Sequence, residues 1–242
     1  MLVLHSSVHP ANVRTDLIIP AYNEEASIGQ VIDEVPRHLV REILVCNNAS
    51  TDRTAAVAAA AGATVVPAPD PGYGNACLAG LAYSANREVG ELSEVVAFVD
   101  GDLSDYPAQL DRILEPIRQQ QADLVIGSRA LGQRQTGAML PHQIFGNWLA
   151  TTLIRWFWGV RFTDLGPFRA VTRQALERLE MQDRDFGWTV EMQVKAAKLG
   201  LRCVEVPVDY RARAAGKSKV SGSLKNSFLA GHKILYTIFK SL

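Results

Sequence analysis

The chain has 242 residues, of which 48% are hydrophobic and 21% charged, and its 25 basic and 25 acidic side chains leave no net charge. This is enough chain for one large globular domain or two small ones, and the composition excludes a disordered chain, a collagen and a small disulfide scaffold. The charge is uneven, because residues 202–242 hold eight basic but only two acidic side chains; this indicates an anionic partner, not general nucleic-acid binding.

Short apolar runs alternate with helical patterns through the first half of the chain. Unbroken apolar runs are typical of strands buried on both faces of a parallel sheet, and such runs occur at Leu17–Pro20, Ile43–Cys46, Thr64–Val66, Val95–Val99 and Leu124–Ile126. Helices are predicted between them at Ile28–Val35, Thr51–Ala61, Asn75–Ala85 and Pro107–Gln119. This βαβ repetition predicts an α/β fold with an open, mostly parallel sheet flanked by helices.

The second half of the chain has a less regular pattern. Helices are predicted at Pro141–Trp158, Arg173–Leu179, Trp188–Leu199 and Leu224–Leu242. Strand-like segments are Val160–Val171 and Cys203–Val208, and Arg211–Gly222 is a polar loop. The three cysteines form no CxxC pair, which indicates neither a zinc site nor a redox pair.

Polar clusters follow four of the predicted strands, at Pro20–Glu24, Asn47–Asp52, Asp100–Asp102 and Gly127–Arg129. Ligands of open α/β sheets bind beyond the carboxyl ends of the strands, so the four clusters predict one crevice. There Tyr22 can stack on a nucleotide base, and Asn48 or Asp52 can hydrogen-bond its edge. The structural alternative for Asp52 and its neighbours is capping of the following helix.

Asp100 and Asp102 emerge together at the end of a buried strand. Two carboxylates one residue apart can share a divalent cation, and hard oxygen ligands suit Mg²⁺ or Mn²⁺; the alternative is a solvated acidic turn. The glycine loop Pro71–Asn75, with Gly74, either approaches a phosphate or sugar closely or is a structural turn. GxGxxG and Walker A motifs are absent, which argues against a dehydrogenase and a P-loop NTPase.

The order of these motifs resembles family 2 glycosyltransferases of the GT-A fold. Four motifs carry it, namely the strand followed by Pro20–Glu24, the turn Asn47–Asp52, Asp100–Asp102 and Ile126–Arg129. Thr163–Arg169, Phe186–Glu191, Glu205–Val208 and Arg213–Lys219 narrow the resemblance to dolichyl-phosphate mannose and polyprenyl-phosphate glucose synthases. It implies inverting, metal-dependent transfer of a hexose from a GDP-mannose or UDP-glucose type of donor to a polyprenyl or dolichyl phosphate.

The resemblance also implies which residues act. Asp100 and Asp102 are expected to hold Mg²⁺ or Mn²⁺ on the diphosphate. The residues expected to take part in catalysis are Asp102, Arg213 and Lys217, joined by Asp164 and Glu191 as bases if the acceptor is a hydroxyl. The residues expected to bind substrate are Pro20, Ala21, Tyr22, Glu24, Asn48, Asp52, Gly74, Asp100, Gly101, Arg129, Arg169 and Lys219.

Some of these roles have alternatives. An ionised lipid phosphate needs no general base, and none of the five histidines lies in these motifs. A soluble or glycolipid hydroxyl acceptor, in contrast, normally needs a general base. Glu191 can instead pair with Lys195 one helical turn away. The alternative from a different functional class is a protein that binds a sugar nucleotide without catalysing a reaction. Asn47-Asn48 stands where the family usually has acidic residues, and Ser104 stands where it often has Gln. The nucleotide base of the donor and the preferred metal ion therefore stay open.

Residues 1–242 are predicted to form a single catalytic domain. Its expected parts are an N-terminal extension (1–15), a nucleotide-sugar half (16–130), an acceptor half with the basic loop (131–222) and an amphipathic helix (223–242). Neither a signal peptide nor a membrane-spanning stretch is recognisable, so we expect a cytoplasmic protein. The helices at 141–158 and 224–242 suit peripheral contact with the cytoplasmic membrane face, or packing against the sheet, a second copy or a membrane subunit.

Overall fold

The structure is a computed structural model that describes residues 13–214 and 224–242. Its strands are Thr15–Ala21 (β1), Glu42–Asn47 (β2), Thr64–Pro67 (β3), Val95–Phe98 (β4), Leu124–Ser128 (β5), Arg169–Thr172 (β6) and Cys203–Pro207 (β7). Its α-helices are Ile28–Asp33 (α1), Thr54–Ala60 (α2), Tyr73–Ala85 (α3), Leu110–Arg118 (α4), Pro141–Trp158 (α5), Arg173–Leu179 (α6), Trp188–Lys198 (α7) and Leu224–Lys240 (α8). Each apolar run predicted as a strand in the first half forms one.

The strands of the described residues form one sheet in the order β3-β2-β1-β4-β6-β5-β7. β1 pairs in parallel with β2 and β4, β2 with β3, and β5 with β7, whereas β6 runs antiparallel to β4 and β5. The predicted open, mostly parallel sheet flanked by helices is therefore confirmed. Because β1, β2 and β4 are parallel, the polar segments that follow them meet at one edge of the sheet.

Each face of the sheet carries its own apolar layer, since successive strand residues point to opposite faces. Ile18 and Phe98 belong to the layer that includes Trp188 of α7, and the rings of Phe98 and Trp188 meet edge to face at 6.0 Å. Leu17 belongs to the opposite layer, with Ile113 of α4. Burying each such side chain stabilises the fold by roughly 1.5–3 kcal/mol, which fixes the strand ends that carry the polar segments.

The prediction of a strand at Val160–Val171 is wrong for most of that segment, because only Arg169–Thr172 is extended within the sheet. The Glu205 carboxylate accepts hydrogen bonds from the backbone N–H groups of Thr163 at 2.8 Å and Asp164 at 3.0 Å. Pro167 has no N–H to donate. The backbone of residues 161–168 is thus held by a side chain, and it forms a loop beside the edge where the other strands end.

Two helices begin later than predicted. The helix predicted from Thr51 begins at Thr54, because the Asp52 carboxylate accepts the Thr54 N–H at 2.9 Å and fixes a turn before the helix. The helix predicted from Pro107 opens with a 3₁₀ turn, Pro107–Gln109, before α4. In both cases a residue suited to a helix start directs the turn that precedes the helix.

Helices α5 and α8 leave large aromatic side chains in solvent. Phe145, Trp148 and Trp156 of α5 are exposed, Trp156 to 80% of its surface. Tyr236 and Phe239 of α8 are also exposed, and the Phe239 ring meets Phe157 at 5.9 Å. Among the described helices, none combines the length and the apolar character that a membrane crossing requires.

Candidate active site

A cleft of about 640 Å³ opens where β1, β2 and β4 end. The predicted site residues that line it are Pro20, Ala21, Tyr22, Glu24, Asn48, Asp100, Gly101, Asp102 and Arg213. The predicted site residues that do not line it are Asp52, Gly74, Arg129, Asp164, Arg169 and Glu191. Lys217 and Lys219 lie outside the described residues.

The carboxylates of Asp100 and Asp102 follow β4 at the floor of the cleft. Asp100 accepts a hydrogen bond from the Tyr73 hydroxyl at 3.0 Å. Burial, and then the neighbouring charge of Asp102, raise the pKa of Asp100 to about 7. Asp102 accepts from the backbone N–H of Ser104 at 2.9 Å and from its hydroxyl at 2.5 Å. Two carboxylates crowded in a buried place repel each other, and a divalent cation would relieve that repulsion.

Among the described residues, Arg213 forms an ion pair with an acid of this cleft floor. Its guanidinium pairs with Asp102 at 2.5 Å and with Glu24 at 2.9 Å. Arg213 therefore connects the segment after β1 to the segment after β4. Both contacts are ion pairs within the cleft, so Arg213 neutralises part of the charge of Asp102 and Glu24.

Arg211 fastens the start of the basic segment to the acidic turn. Its Nε donates to the carbonyl of Leu103 at 2.5 Å, and its guanidinium lies 4.2 Å from the centre of the Tyr106 ring. The same guanidinium pairs with Glu34 at 2.8 Å. The Arg211 guanidinium also donates to the carbonyl of Asp105, and its backbone N–H donates to the carbonyl of Ser104 at 3.0 Å. These contacts fix the chain two residues before Arg213.

The Asn48 amide is used within the protein. Its Nδ2 donates to the carbonyls of Ala68 at 3.1 Å and Asp70 at 2.7 Å, and its Oδ1 accepts from Gly72 N–H at 2.9 Å. An aspartate here has no N–H to give to the two carbonyls, which explains physically why an amide stands at this position. Asn48 positions the glycine loop and lines the cleft at the same time.

Asp52, by contrast, fixes the turn that precedes α2, whose N-cap residue is Arg53. It accepts from Thr54 and also from the backbone N–H of Glu25 at 3.2 Å. Among the described residues no side chain caps α2, so the predicted capping role is not observed; the contacts of Asp52 instead join the loop after β1 to the start of α2.

Arg129, Asp164 and Arg169 form a buried polar scaffold beside the cleft. Arg129 donates three hydrogen bonds to the Asp164 carboxylate, two from its guanidinium at 2.7 Å and one from its backbone N–H at 2.8 Å. Arg169 donates to the carbonyls of Gly166 and Thr189 at 3.0 Å, and burial lowers its pKa to about 10. These groups hold the loop before β6, and neither carboxylate oxygen of Asp164 is left without a donor.

Glu191 is likewise occupied by the protein. It pairs with Lys195 at 2.8 Å, one helical turn along α7, as the structural alternative predicts. It also accepts the backbone N–H groups of Gln182 at 3.0 Å and Asp183 at 2.7 Å. Glu191 therefore holds the segment that precedes α7, and part of that segment lines the cleft.

The cleft is also lined by residues that were not predicted as site residues, namely Ala49, Pro71, Gly72, Tyr73, Ala76, Asp185 and Phe186. Tyr73, which begins α3, and Phe186 each belong to a sequence motif, so a pattern pointed to both. Asp185 belonged to no pattern, because its location depends on how the segment before α7 folds back over α3.

A second cavity of about 520 Å³ adjoins α5. It is lined by three arginines, Arg134, Arg155 and Arg161, and by apolar side chains that include Ile144, Trp148 and Phe162. Asp164 also faces it. A pocket that combines several guanidinium groups with an apolar wall suits an anionic group attached to a hydrophobic body.

Gly74 leads to a stability prediction. A Cβ atom at Gly74 would lie 2.0 Å from the carbonyl oxygen of Asp183, so the glycine makes room for protein backbone. We expect Gly74→Ala to lower the free energy of unfolding by about 2–4 kcal/mol. Gly146→Ala is the matched control, because Gly146 lies within α5 with open space around its Cβ position, and alanine there should stabilise by up to about 1 kcal/mol. Chemical denaturation measures both; equal stability of the two variants would contradict this packing.

Comparisons with known proteins agree with this architecture. The sequence model of Glycosyl transferase family 2 matches residues 16–180. An uncharacterized glycosyltransferase of Mycobacterium tuberculosis is 37% identical over 221 residues, covering 88% of this chain and 93% of the relative. The undecaprenyl-phosphate mannosyltransferase of Micrococcus luteus is 32% identical over 232 residues, covering 88% and 89%. Glucosyl-3-phosphoglycerate synthase of M. tuberculosis, solved with Mn²⁺, UDP and glucosyl-3-phosphoglycerate, superposes with a TM-score of 0.73 at 22% identity, covering 96% of this chain and 80% of that one.

Proposed function

Because the chain belongs to glycosyl transferase family 2, we propose that it moves a hexose, with inversion, from a nucleoside-diphosphate sugar to a polyprenyl phosphate. The donor is of the GDP-mannose or UDP-glucose type. The observation that carries this proposal is the cleft at the ends of β1, β2 and β4, where Asp100, Asp102 and Arg213 stand together. The undecaprenyl-phosphate mannosyltransferase among the relatives supports a lipid phosphate as acceptor.

The donor set at the end of β4 fits a divalent cation. Asp100 and Asp102 offer hard carboxylate oxygens, and the raised pKa of Asp100, caused by burial and by Asp102, is relieved by added positive charge. Arg213 already supplies such a charge to Asp102. Asp100 and Asp102 would therefore hold Mg²⁺ or Mn²⁺. Bound there, the cation supplies positive charge to the departing diphosphate.

We propose that the remaining cleft residues bind different parts of the donor. Pro20, Ala21 and Tyr22, with Asn48, offer a wall against which a nucleoside can stack and hydrogen-bond. Arg213 can turn from Asp102 and Glu24 towards the diphosphate and stabilise the charge that builds as it leaves. Lys217 and Lys219 follow it in sequence, and we propose that they bind phosphate groups of donor or acceptor.

The acceptor side supports a phosphate nucleophile. A phosphate monoester oxygen is ionised at neutral pH and attacks without a general base. Asp164 and Glu191, the candidate bases for a hydroxyl acceptor, each already accept hydrogen bonds from several protein donors. The arginine-lined cavity beside α5 joins cationic groups to an apolar wall, as a polyprenyl phosphate requires.

We further propose that the protein works peripherally at the cytoplasmic face of a membrane. The support is the row of exposed aromatic side chains on α5, with Phe239 of α8 packed against Phe157. Lys233 and Lys240 of α8 lie beside Tyr236. Aromatic side chains flanked by lysines are typical of helices that lie in the interfacial region of a bilayer.

The proposed function is tested by incubating the purified protein with Mn²⁺ or Mg²⁺, a short polyprenyl phosphate and a panel of UDP- and GDP-sugars. We expect one donor to give a polyprenyl-phosphate hexose, detected by mass spectrometry together with release of the nucleoside diphosphate. The matching polyprenol, which lacks the phosphate, is the control and should give no product. Transfer to the polyprenol instead would favour the hydroxyl acceptor, and absence of turnover with every donor would contradict catalysis by this chain alone.

A further inference from the structure

Asp185 stands out among the carboxylates of the cleft. Glu24 and Asp102 are paired with Arg213, and Asp100 accepts from Tyr73. Among the residues that the structure describes, no cation lies within ion-pair distance of the Asp185 side chain, although it lines the same cleft. Burial and the neighbouring Asp183 raise its pKa, so its surroundings in the protein disfavour the charged form.

The backbone around Asp185 is held rigidly on the α7 and α8 side. Asp183 accepts the N–H groups of Asp185 at 2.8 Å and Gly187 at 3.1 Å, and it pairs with Lys233 of α8 at 3.0 Å. Glu191 accepts the N–H of Asp183 at 2.7 Å. The turn that carries Asp185 is therefore fixed by carboxylates on both of its flanks.

The same segment is also fixed against α3. The backbone N–H of Asn75 donates to the carbonyl of Arg184 at 3.0 Å. A Cβ at Gly72 would lie 2.2 Å from that carbonyl oxygen, so the two backbones are in contact. A carboxylate on a segment anchored from three elements is preorganised, which is the condition for selective recognition of a ligand.

The position of Asp185 in the cleft decides what it can bind. Three residues later Trp188 packs on Phe98, which ends β4, and Tyr73 of the contacted loop reaches Asp100. Asp185 itself lines the same cleft as Asp100 and Asp102. A diphosphate there would be repelled by a further carboxylate, whereas sugar hydroxyls are neutral donors that a carboxylate accepts well.

We propose that Asp185 is a specificity-determining residue that accepts hydrogen bonds from hydroxyl groups of the donor hexose. This inference rests on the proposed function, since it needs a nucleoside-diphosphate sugar in the cleft. The Asp185 carboxylate orients the sugar behind the diphosphate, and Asp183, Glu191 and Lys233 act as positioning residues through the backbone that carries it.

The test compares the full-length wild-type protein with Asp185→Asn in calorimetric titrations, all with Mn²⁺. The probes are GDP, GDP-mannose, UDP and UDP-glucose. With the pair that the wild type binds, we expect Asp185→Asn to weaken binding of the sugar nucleotide about tenfold to a hundredfold and to change binding of the sugar-free nucleotide less than about twofold. Asp33→Asn, an exposed acid on α1, is the control and should change neither affinity.

Deoxy-sugar analogues of the same donor complete the test. The analogue that lacks the recognised hydroxyl should bind wild type and Asp185→Asn alike. Equal weakening of nucleotide and sugar nucleotide would overturn the proposal, because it indicates a structural or nucleoside role. Unchanged sugar-nucleotide affinity with lost turnover would overturn it in favour of a general base. A wild-type protein that binds none of the four probes would contradict the proposed function itself and the inference with it.

Discussion

Asp102→Asn is expected to lower sugar transfer by about a thousandfold or more while leaving the fold intact. The amide keeps the shape of the side chain, and its oxygen can still accept from Ser104, which holds Asp102 at 2.9 Å and 2.5 Å. Arg213 keeps Glu24 as its partner at 2.9 Å. What the variant loses is one of two charged ligands for the cation that would stabilise the departing diphosphate, the largest electrostatic contribution proposed for this site.

The chain offers a closely matched control for this variant. Arg118 on α4 binds two acids, Asp111 and Glu115, each at 2.6 Å, just as Arg213 binds Asp102 and Glu24. Asp111→Asn therefore removes the same charge from an arginine that keeps a second acid, at a site that is more exposed than Asp102 and lies away from the cleft. We expect its transfer rate to equal that of the wild type, and Mn²⁺ affinity to fall only in Asp102→Asn. Full activity of Asp102→Asn in the presence of a chelator would contradict a metal-dependent mechanism.

The strand-end rule explains why much of the cleft was predictable. A buried apolar run gives the direction of a strand, and the residue after it must emerge at the edge, as Tyr22, Asn48 and Asp100 do. The rule needs only local periodicity, which the sequence shows directly, and parallel pairing, which the βαβ repetition predicts. Arg213 came instead from its motif, because no periodicity shows that a loop after β7 returns to the end of β4.

The rest was unpredictable for physical reasons. A polar residue in a motif looks the same whether it contacts substrate or supports the backbone, and Arg169 illustrates this, since its guanidinium is buried among carbonyl groups. Asp185 reaches the cleft through backbone contacts between α3 and the segment before α7, which no local pattern encodes. The loop before β6 does not form the predicted strand, and its partner, the side chain of Glu205, lies about forty residues further along the chain, beyond any local pattern.

Arg213→Ala is expected to change metal binding and catalysis in opposite directions. In the structure the guanidinium lies 2.5 Å from the Asp102 carboxylate, so a cation entering the site must compete with a positive charge already there. Removing that charge should raise Mn²⁺ affinity in the absence of nucleotide by about threefold to tenfold, given screening near the protein surface. Transfer should nevertheless fall by about a hundredfold or more, because the departing diphosphate loses a cationic donor.

Titration of Mn²⁺ without nucleotide, followed by turnover at saturating Mn²⁺, separates the two effects. Arg213→Lys retains the charge but not the paired hydrogen bonds, so its Mn²⁺ affinity should stay near that of the wild type while its transfer rate falls part of the way. A parallel fall of Mn²⁺ affinity and transfer in Arg213→Ala would mean that Arg213 only holds Glu24 and Asp102 in position. Opposite changes would mean that the same arginine neutralises the acids of the empty cleft and then, once metal and donor are bound, turns to the charge that develops on the leaving group.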